Sequence, residues 1–285
     1  MAVVVVTDSS SCLSPELVDR YGIRVVPLHV LHEGRDLRDG VDEAPDDLSG
    51  ATTSGASPGE LGEAYAAALE ASGGDGVVAV HISTQLSGTW EAGRRAAEDL
   101  GEKVRIVDSK STGMGLGYPA LAAARVASAG GSLEAVYQKA VEVAAGGRTL
   151  VVVDRLDHLR RGGRIGAAAA LLGTALAMKP VLHLVDGNLV LREKTRTSTK
   201  ARAKLVDAAV EQAGGDAVAV AVHHCHARER ADEVAAQLKE RIPSMSELVV
   251  TDIGNVLGAH VGPGAIGVVV CPSGVEVGDS STAAR

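Results

Sequence analysis

The chain of 285 residues has no Phe, one Trp and four Tyr, so an apolar cavity in it must be lined by Val, Leu, Ile, Ala and Met instead of large flat rings. Single-stranded nucleic acid is gripped by aromatic stacking in a basic groove. So few rings, with a formal net charge of -8, disfavour nucleic acid as a partner. Cysteine is equally scarce. Cys12, Cys225 and Cys271 are odd in number, far apart and outside any Cys-x-x-Cys pair, which fits a reducing compartment. Residues Met1 to Val6 run straight into Asp8 without a basic leader or an apolar stretch of signal-peptide length, so they read as a first β-strand and the expected location is cytoplasmic. Long hydrophobic runs are missing too. The longest uncharged one, Ile165 to Met178 between Arg164 and Lys179, falls short of the roughly 18 residues of a membrane span, and no stable membrane insertion is expected.

What is present is ordinary for a globular chain: 46% hydrophobic and 22% charged residues, and length enough for about two domains. Short Val-rich runs alternate with Ala-rich amphipathic ones. Strands are expected over Val3 to Val6, Arg24 to Val30, Val77 to Ile82, Val104 to Val107 and Leu150 to Val153, with helices over Gly59 to Ala71, Trp90 to Leu100, Gly117 to Ala127 and Leu133 to Val143. That alternation calls for βαβ units. The texture changes near residues 148 to 156. Beyond it, Asp186-Gly187-Asn188 is a hairpin signal between Val181 to Val185 and Leu189 to Glu193, followed by helix Thr199 to Gln212, strand Ala217 to His223, helix Ala227 to Arg241 and strand Glu247 to Thr251. The expected fold class is therefore α/β in two domains: residues 1–150 a doubly wound, mainly parallel sheet, residues 151–278 an α/β domain with a mixed sheet, and 279–285 a disordered tail.

Two glycine patterns invite a nucleotide reading and fail it. Gly262 to Gly267 matches G-x-G-x-x-G but precedes a strand, and Gly115-Leu116-Gly117 lies several residues beyond its strand. His223-His224-Cys225-His226 invites a metal reading, yet successive residues at a strand end point to opposite faces and no second cluster supplies further ligands; no metal is expected. Hydroxyls carry more. Ser57-Pro58-Gly59-Glu60 is a capping box, which leaves Thr53 and Ser54 just outside a helix start, able to join its positive end in holding an anion. Ser87, between strand Val77 to Ile82 and the next helix, is either an N-cap or the second half of such a cradle. It could also be a nucleophile activated by His260, the histidine of the glycine-rich stretch Gly258 to Gly264, although no G-x-S-x-G elbow surrounds it.

Taken in order, Thr7-Asp8-Ser9-Ser10-Ser11, Thr53-Ser54, Ile82-Ser83 with Leu86-Ser87-Gly88-Thr89, Asp108-Ser109-Lys110-Ser111, Arg161-Gly162-Gly163-Arg164-Ile165, Met178-Lys179-Pro180, Arg196-Thr197 and His260 to Ala265 span almost the whole chain. In this series the sequence resembles the DegV family of bacterial fatty-acid-binding proteins. The resemblance implies a non-catalytic carrier that holds one long-chain fatty acid at an interdomain cleft, needs no cofactor beyond that ligand, and presents it to the catalytic subunit of a fatty acid kinase for acyl-phosphate formation. By block match, Thr53, Ser54, Ser87 and Gly88 hold the carboxylate with His260 nearby. The acyl chain enters a tunnel in the second domain, for which Leu171, Leu172, Leu176 and Met178 are candidate lining. Arg164, at the start of that apolar run, is placed to meet an acyl phosphate or the partner, because a guanidinium matches phosphate geometry. Two other readings stay open: a hydrolase-like enzyme using Ser87 and His260, and a regulator that binds a nonlipid anion. One departure stands out, since the family has Gln-Pro where this chain has Gly55-Ala56, and glycine there is expected to loosen the turn that aims Thr53.

Overall fold

The computed structural model describes residues 2–45, 47–48, 50–166 and 178–272. Its elements in the first half are β1 (Val4–Asp8), α1 (Pro15–Tyr21), β2 (Arg24–Val26), β3 (His29–His32), β4 (Arg35–Arg38), β5 (Thr52–Ser54), α2 (Pro58–Ala71), β6 (Val77–His81), α3 (Thr89–Glu98), β7 (Val104–Asp108), α4 (Met114–Ser128) and α5 (Leu133–Gly146). Four of these strands form a parallel sheet in the order β2-β1-β6-β7. A parallel sheet covered on both faces needs strands that are apolar throughout, and Val77, Val78, Ala79 and Val80 of β6 are all fully buried. Alternate residues serve opposite layers. Val78 and Val80 pack with Leu116, Leu121 and Val136 of α4 and α5, while Val77 and Ala79 pack with Leu61, Tyr65 and Ala68 of α2. This half is doubly wound, as the sequence implied.

The single strand expected over Arg24 to Val30 is two strands in two sheets. Pro27 has no N–H for a ladder, so parallel pairing ends at Val26 and the chain turns into β3, which joins β4 and β5 in a separate antiparallel sheet of order β4-β3-β5. Thr53 therefore stands on a strand of that small sheet, opposite Val30, and not after a strand of the parallel one.

The second half contains β8 (Arg148–Val152), α6 (Asp157–Arg161), β9 (Lys179–Val185), β10 (Asn188–Thr195), α7 (Ser198–Ala213), β11 (Val218–His224), α8 (Arg228–Arg241), β12 (Met245–Asp252), α9 (Asn255–Val261) and β13 (Ile266–Pro272). Six strands make a mixed sheet, β10-β9-β8-β13-β11-β12, in which β11 and β12 alone run parallel to a neighbour. The strand expected over Leu150 to Val153 in the first half belongs here, so a division at residue 150 cuts through β8. The hairpin is present, with Asp186 and Gly187 both at positive φ as its tight two-residue turn requires.

Leu205, Val206, Val234 and Leu238 of α7 and α8 cover one face of this sheet. Its other face meets α4, whose Met114, Tyr118 and Ala122 pack on Ala219, Ala221 and Val269. α4 is thus sandwiched between both sheets, which explains why it is apolar nearly all round. Glycines inside it permit close approach: a Cβ on Gly115 would fall 2.1 Å from Ser111 Oγ, and one on Gly117 2.6 Å from the Ser11 carbonyl oxygen. Gly115 and Gly117 are packing residues, not a phosphate loop. Among the described residues no helix is long and apolar enough to cross a membrane. Leu171, Leu172, Leu176 and the tail 279–285 lie outside the described residues.

Candidate functional site

Between the two sheets lies a pocket of about 920 Å³, counting its open mouth, onto which Thr53, Ser54, Ser87, Arg164 and His260 all face. Four separate segments supply them. Thr53 is fixed by β5 pairing with β3. The sequence placed His260 in a glycine-rich loop; it sits instead in the last turn of α9, a short helix bounded by Gly254 and Gly262, both at positive φ. From there its Nε2 reaches Thr53 Oγ1 at 2.7 Å. Ser87 precedes α3, where Gly88 is the N-cap. Its Oγ bonds Thr89 Oγ1 at 2.8 Å and accepts from the Thr89 N–H at 3.3 Å, so Ser87 braces the start of α3 without being its cap residue. Gly88 itself is exposed and does not line the pocket.

Arg164 ties two of these segments together. Its Nε donates to the Leu86 carbonyl at 3.0 Å and its Nη1 to the Gly162 carbonyl at 2.6 Å, so the guanidinium clamps the Ser87 turn to the end of α6. Gly162 is required for a different reason: a Cβ there would lie 2.1 Å from His260 Nδ1. The β9–β10 hairpin tip is tied to the first half by buried Ser83, which donates to the Gly187 carbonyl at 3.0 Å. Leu28, Ile82, Leu150, Leu184, Leu189 and Leu257 supply much of the apolar wall. None of these was singled out from the sequence, since a pocket-facing Leu carries no local signal that separates it from a core Leu. Met178 packs with the buried cluster around Val153, Leu159 and Leu182.

Gly55 also permits a close approach that its sequence context did not announce. A Cβ at this position would fall 2.6 Å from Thr89 Oγ1 and 3.2 Å from Ser87 Oγ. Its missing side chain lets the Thr53 strand press against the Ser87 turn.

The histidines of the His223-His224-Cys225-His226 run diverge as strand geometry requires. His223 Nε2 accepts the Met114 N–H at 2.9 Å, whereas His224 Nδ1 stands 3.3 Å from Asp252. Among the described residues no group of His, Cys, Asp and Glu could hold a metal ion.

Burial first, and then the Arg164 charge, push His260 down from its ordinary 6.5 to about 4; burial does the same to His223. Both rings are neutral at pH 7. An unfolded chain binds protons at these histidines below pH 6.5 while the folded chain does not until about pH 4, so folding stability is complete above 6.5 and falls as pH drops through that window. Urea unfolding at pH 7 and pH 5 should show the ligand-free protein losing about 1–3 kcal/mol, with His260→Asn removing part of the loss. Equal pH dependence in the variant would mean that His260 charges freely in place.

The pocket between the doubly wound parallel sheet and the mixed sheet is thus mostly apolar, with the hydroxyls of Thr53 and Ser87, the His260 imidazole and the Arg164 guanidinium among the groups that line it. The model of the DegV family, described as an uncharacterised protein family, matches residues 2–273, and the chain belongs to this family. A DegV domain-containing protein of Mycobacterium tuberculosis is 51% identical over 272 residues, covering 95% of this chain and 97% of the relative. Among solved structures, a fatty-acid-binding DegV family protein from Thermus thermophilus superposes with a TM-score of 0.89 at 32% identity, covering 95% of this chain and all of that one. DegV of Bacillus subtilis, a fatty acid binding protein, superposes with a TM-score of 0.85 at 29% identity, covering 95% and 99%.

Proposed function

We infer that this chain binds one long-chain fatty acid, with its carboxylate at Thr53, Ser87 and His260 and its acyl chain in the pocket between the sheets. The observation that carries the reading is the Thr53–His260 hydrogen bond at the side of an otherwise Leu- and Val-rich pocket. With the ring proton on Nε2, His260 donates to Thr53 Oγ1, and the threonine hydroxyl is left to donate outward to an anion. Each CH₂ withdrawn from water adds about 0.8 kcal/mol, so the chain provides affinity and the hydroxyls provide orientation. The fatty-acid-binding Thermus and Bacillus relatives support the same reading.

The hydrolase alternative lacks its pair. Ser87 Oγ bonds Thr89, while His260 Nε2 is engaged with Thr53, so no base stands on the serine. Presentation to a fatty acid kinase is the finer part of the proposal. Arg164, which donates to the Leu86 and Gly162 carbonyls, also lines the pocket, where an acyl phosphate would need positive charge. Ser54, which lines the pocket at the end of β5, stays in the proposal as a neighbour of the head group, and Gly88, outside the lining, does not.

Native mass spectrometry of the purified protein tests the reading against its rivals. An adduct with the mass of one long-chain acid, lost on delipidation and restored by added oleate, is the expected result. A chain that neither carries nor takes up an acid, or that turns over acyl esters, overturns the carrier assignment.

A further inference from the structure

The pocket has a second polar spot that the carboxylate cradle does not use. It lies on a different wall, formed by the sheet of the second half and the start of α4. His223, Gly267 and Val151 form one row across that sheet, and all three face the pocket together with Thr112 and Gly113. Gly113, at positive φ, lets the start of α4 press onto the His223 ring: a Cβ there would lie 2.9 Å from Nε2.

Because Nε2 accepts the Met114 N–H, its lone pair is committed and the proton of the neutral ring must be on Nδ1. His223 is only 4% exposed, yet this Nδ1–H has no hydrogen-bond partner among the described residues, and neither has the buried Thr112 Oγ1. The neighbouring hydroxyls of Ser111 and Thr149 are bonded to each other at 2.8 Å, so they relieve neither group. Burial keeps the ring neutral, which fixes Nδ1 as a donor. A donor and a hydroxyl left bare in an apolar wall are unfavourable unless something in the pocket meets them.

A saturated acyl chain cannot do so. We propose that Thr112 and His223 form a selectivity spot for a hydroxylated fatty acid, whose chain hydroxyl accepts from His223 Nδ1–H and donates to Thr112 Oγ1. The inference rests on the fatty-acid reading above and narrows its ligand class from saturated or olefinic acids to oxygenated ones.

Calorimetric titration with stearate and with hydroxystearates bearing the hydroxyl at successive chain positions tests it. At least one isomer should bind about tenfold more tightly than stearate, a difference of about 1.4 kcal/mol. Thr112→Val, close in shape and without the hydroxyl, should cut that preference over stearate to about threefold or less. Because replacing His223 removes the acceptor for Met114 N–H and endangers the fold, the second readout keeps the native chain: in ¹⁵N-histidine spectra the favoured isomer, and not stearate, should shift the His223 Nδ1–H resonance. Stearate binding with no isomer above it, as a resident water at the spot would produce, overturns this inference alone. A preference that survives Thr112→Val without a shift at His223 also overturns it. Failure of both stearate and the hydroxystearates to bind overturns the fatty-acid reading and this inference with it.

Discussion

Replacing Asp8 with alanine should destabilise the protein by about 3–5 kcal/mol, because it takes the acceptor away from a set of buried donors. Asp8 ends β1 at the carboxyl edge of the parallel sheet and is completely buried. Its Oδ2 accepts from His81 Nδ1 and from the Ile82 N–H, both at 3.0 Å, and its Oδ1 accepts from the Ser10 N–H at 3.2 Å and from the Ser10 hydroxyl. Behind it, Tyr65 OH donates to His81 Nε2 at 2.7 Å, and burial raises the Tyr65 phenol so that it keeps its proton. The alanine leaves four donors without an acceptor in a dry interior, where each orphaned group costs about 1–3 kcal/mol before the structure relaxes. Asn should do little better, because its amide can accept at one oxygen only and turns two protons toward existing donors. The loss belongs to function as well as folding, since Ile82 leads directly into the Ser83 to Ser87 turn and itself lines the pocket. Urea unfolding with an unchanged slope should register the difference; a shift worth less than about 1 kcal/mol would show that the network is slack and the site does not depend on it.

The β-α alternation, the hairpin at Asp186-Gly187 and the residues around the Thr53–His260 contact were all legible in the chain itself, because each rests on a local signal: period, turn chemistry, or a hydroxyl beside a helix start. What was not legible depended on distance. The expected strand ran straight through Pro27, and the small sheet into which the chain turns there needs β5, some twenty-five residues on, a pairing that no local pattern announces. His260 was assigned to a loop because Gly258, Gly262 and Gly264 dominate its surroundings, whereas Gly254 and Gly262 act as the ends of a helix. Gly55 was read only for its backbone freedom, while the close approach it allows is visible only once Thr89 stands against it. Arg164 shows the same limit: its charge was readable, but not its hold on the Leu86 carbonyl across 78 residues.

If the carboxylate sits where we propose, Thr53→Ala and Ser87→Ala should each weaken oleate binding by about 1.5–3 kcal/mol, roughly 10- to 150-fold, because each removes a hydrogen bond to a charged group. Neither change should cost much stability. Thr53 is half-buried in the middle of the three-residue β5 and Ser87 lies in a turn, so truncation opens little cavity in either place. The two losses should differ in kind. Thr53 is the outer member of a relay, His260 Nε2 to Oγ1 to carboxylate, so its alanine also leaves the imidazole facing the ligand directly and should make binding strengthen more steeply as pH falls toward the histidine range. Ser87→Ala leaves the Thr89 hydroxyl and N–H beside the head group and should reduce affinity without altering the pH profile. Thr53→Ser, which keeps the hydroxyl and drops only the methyl, should recover most of the affinity. Gly162→Ala provides an independent check on the same relay, because its Cβ would displace the His260 ring from Thr53 while leaving both hydroxyls in the chain. Titration of the four variants at two pH values decides the matter: affinities within twofold of the parent for Thr53→Ala and Ser87→Ala would move the carboxylate elsewhere in the pocket, and a Gly162→Ala protein that binds normally would remove His260 from the relay.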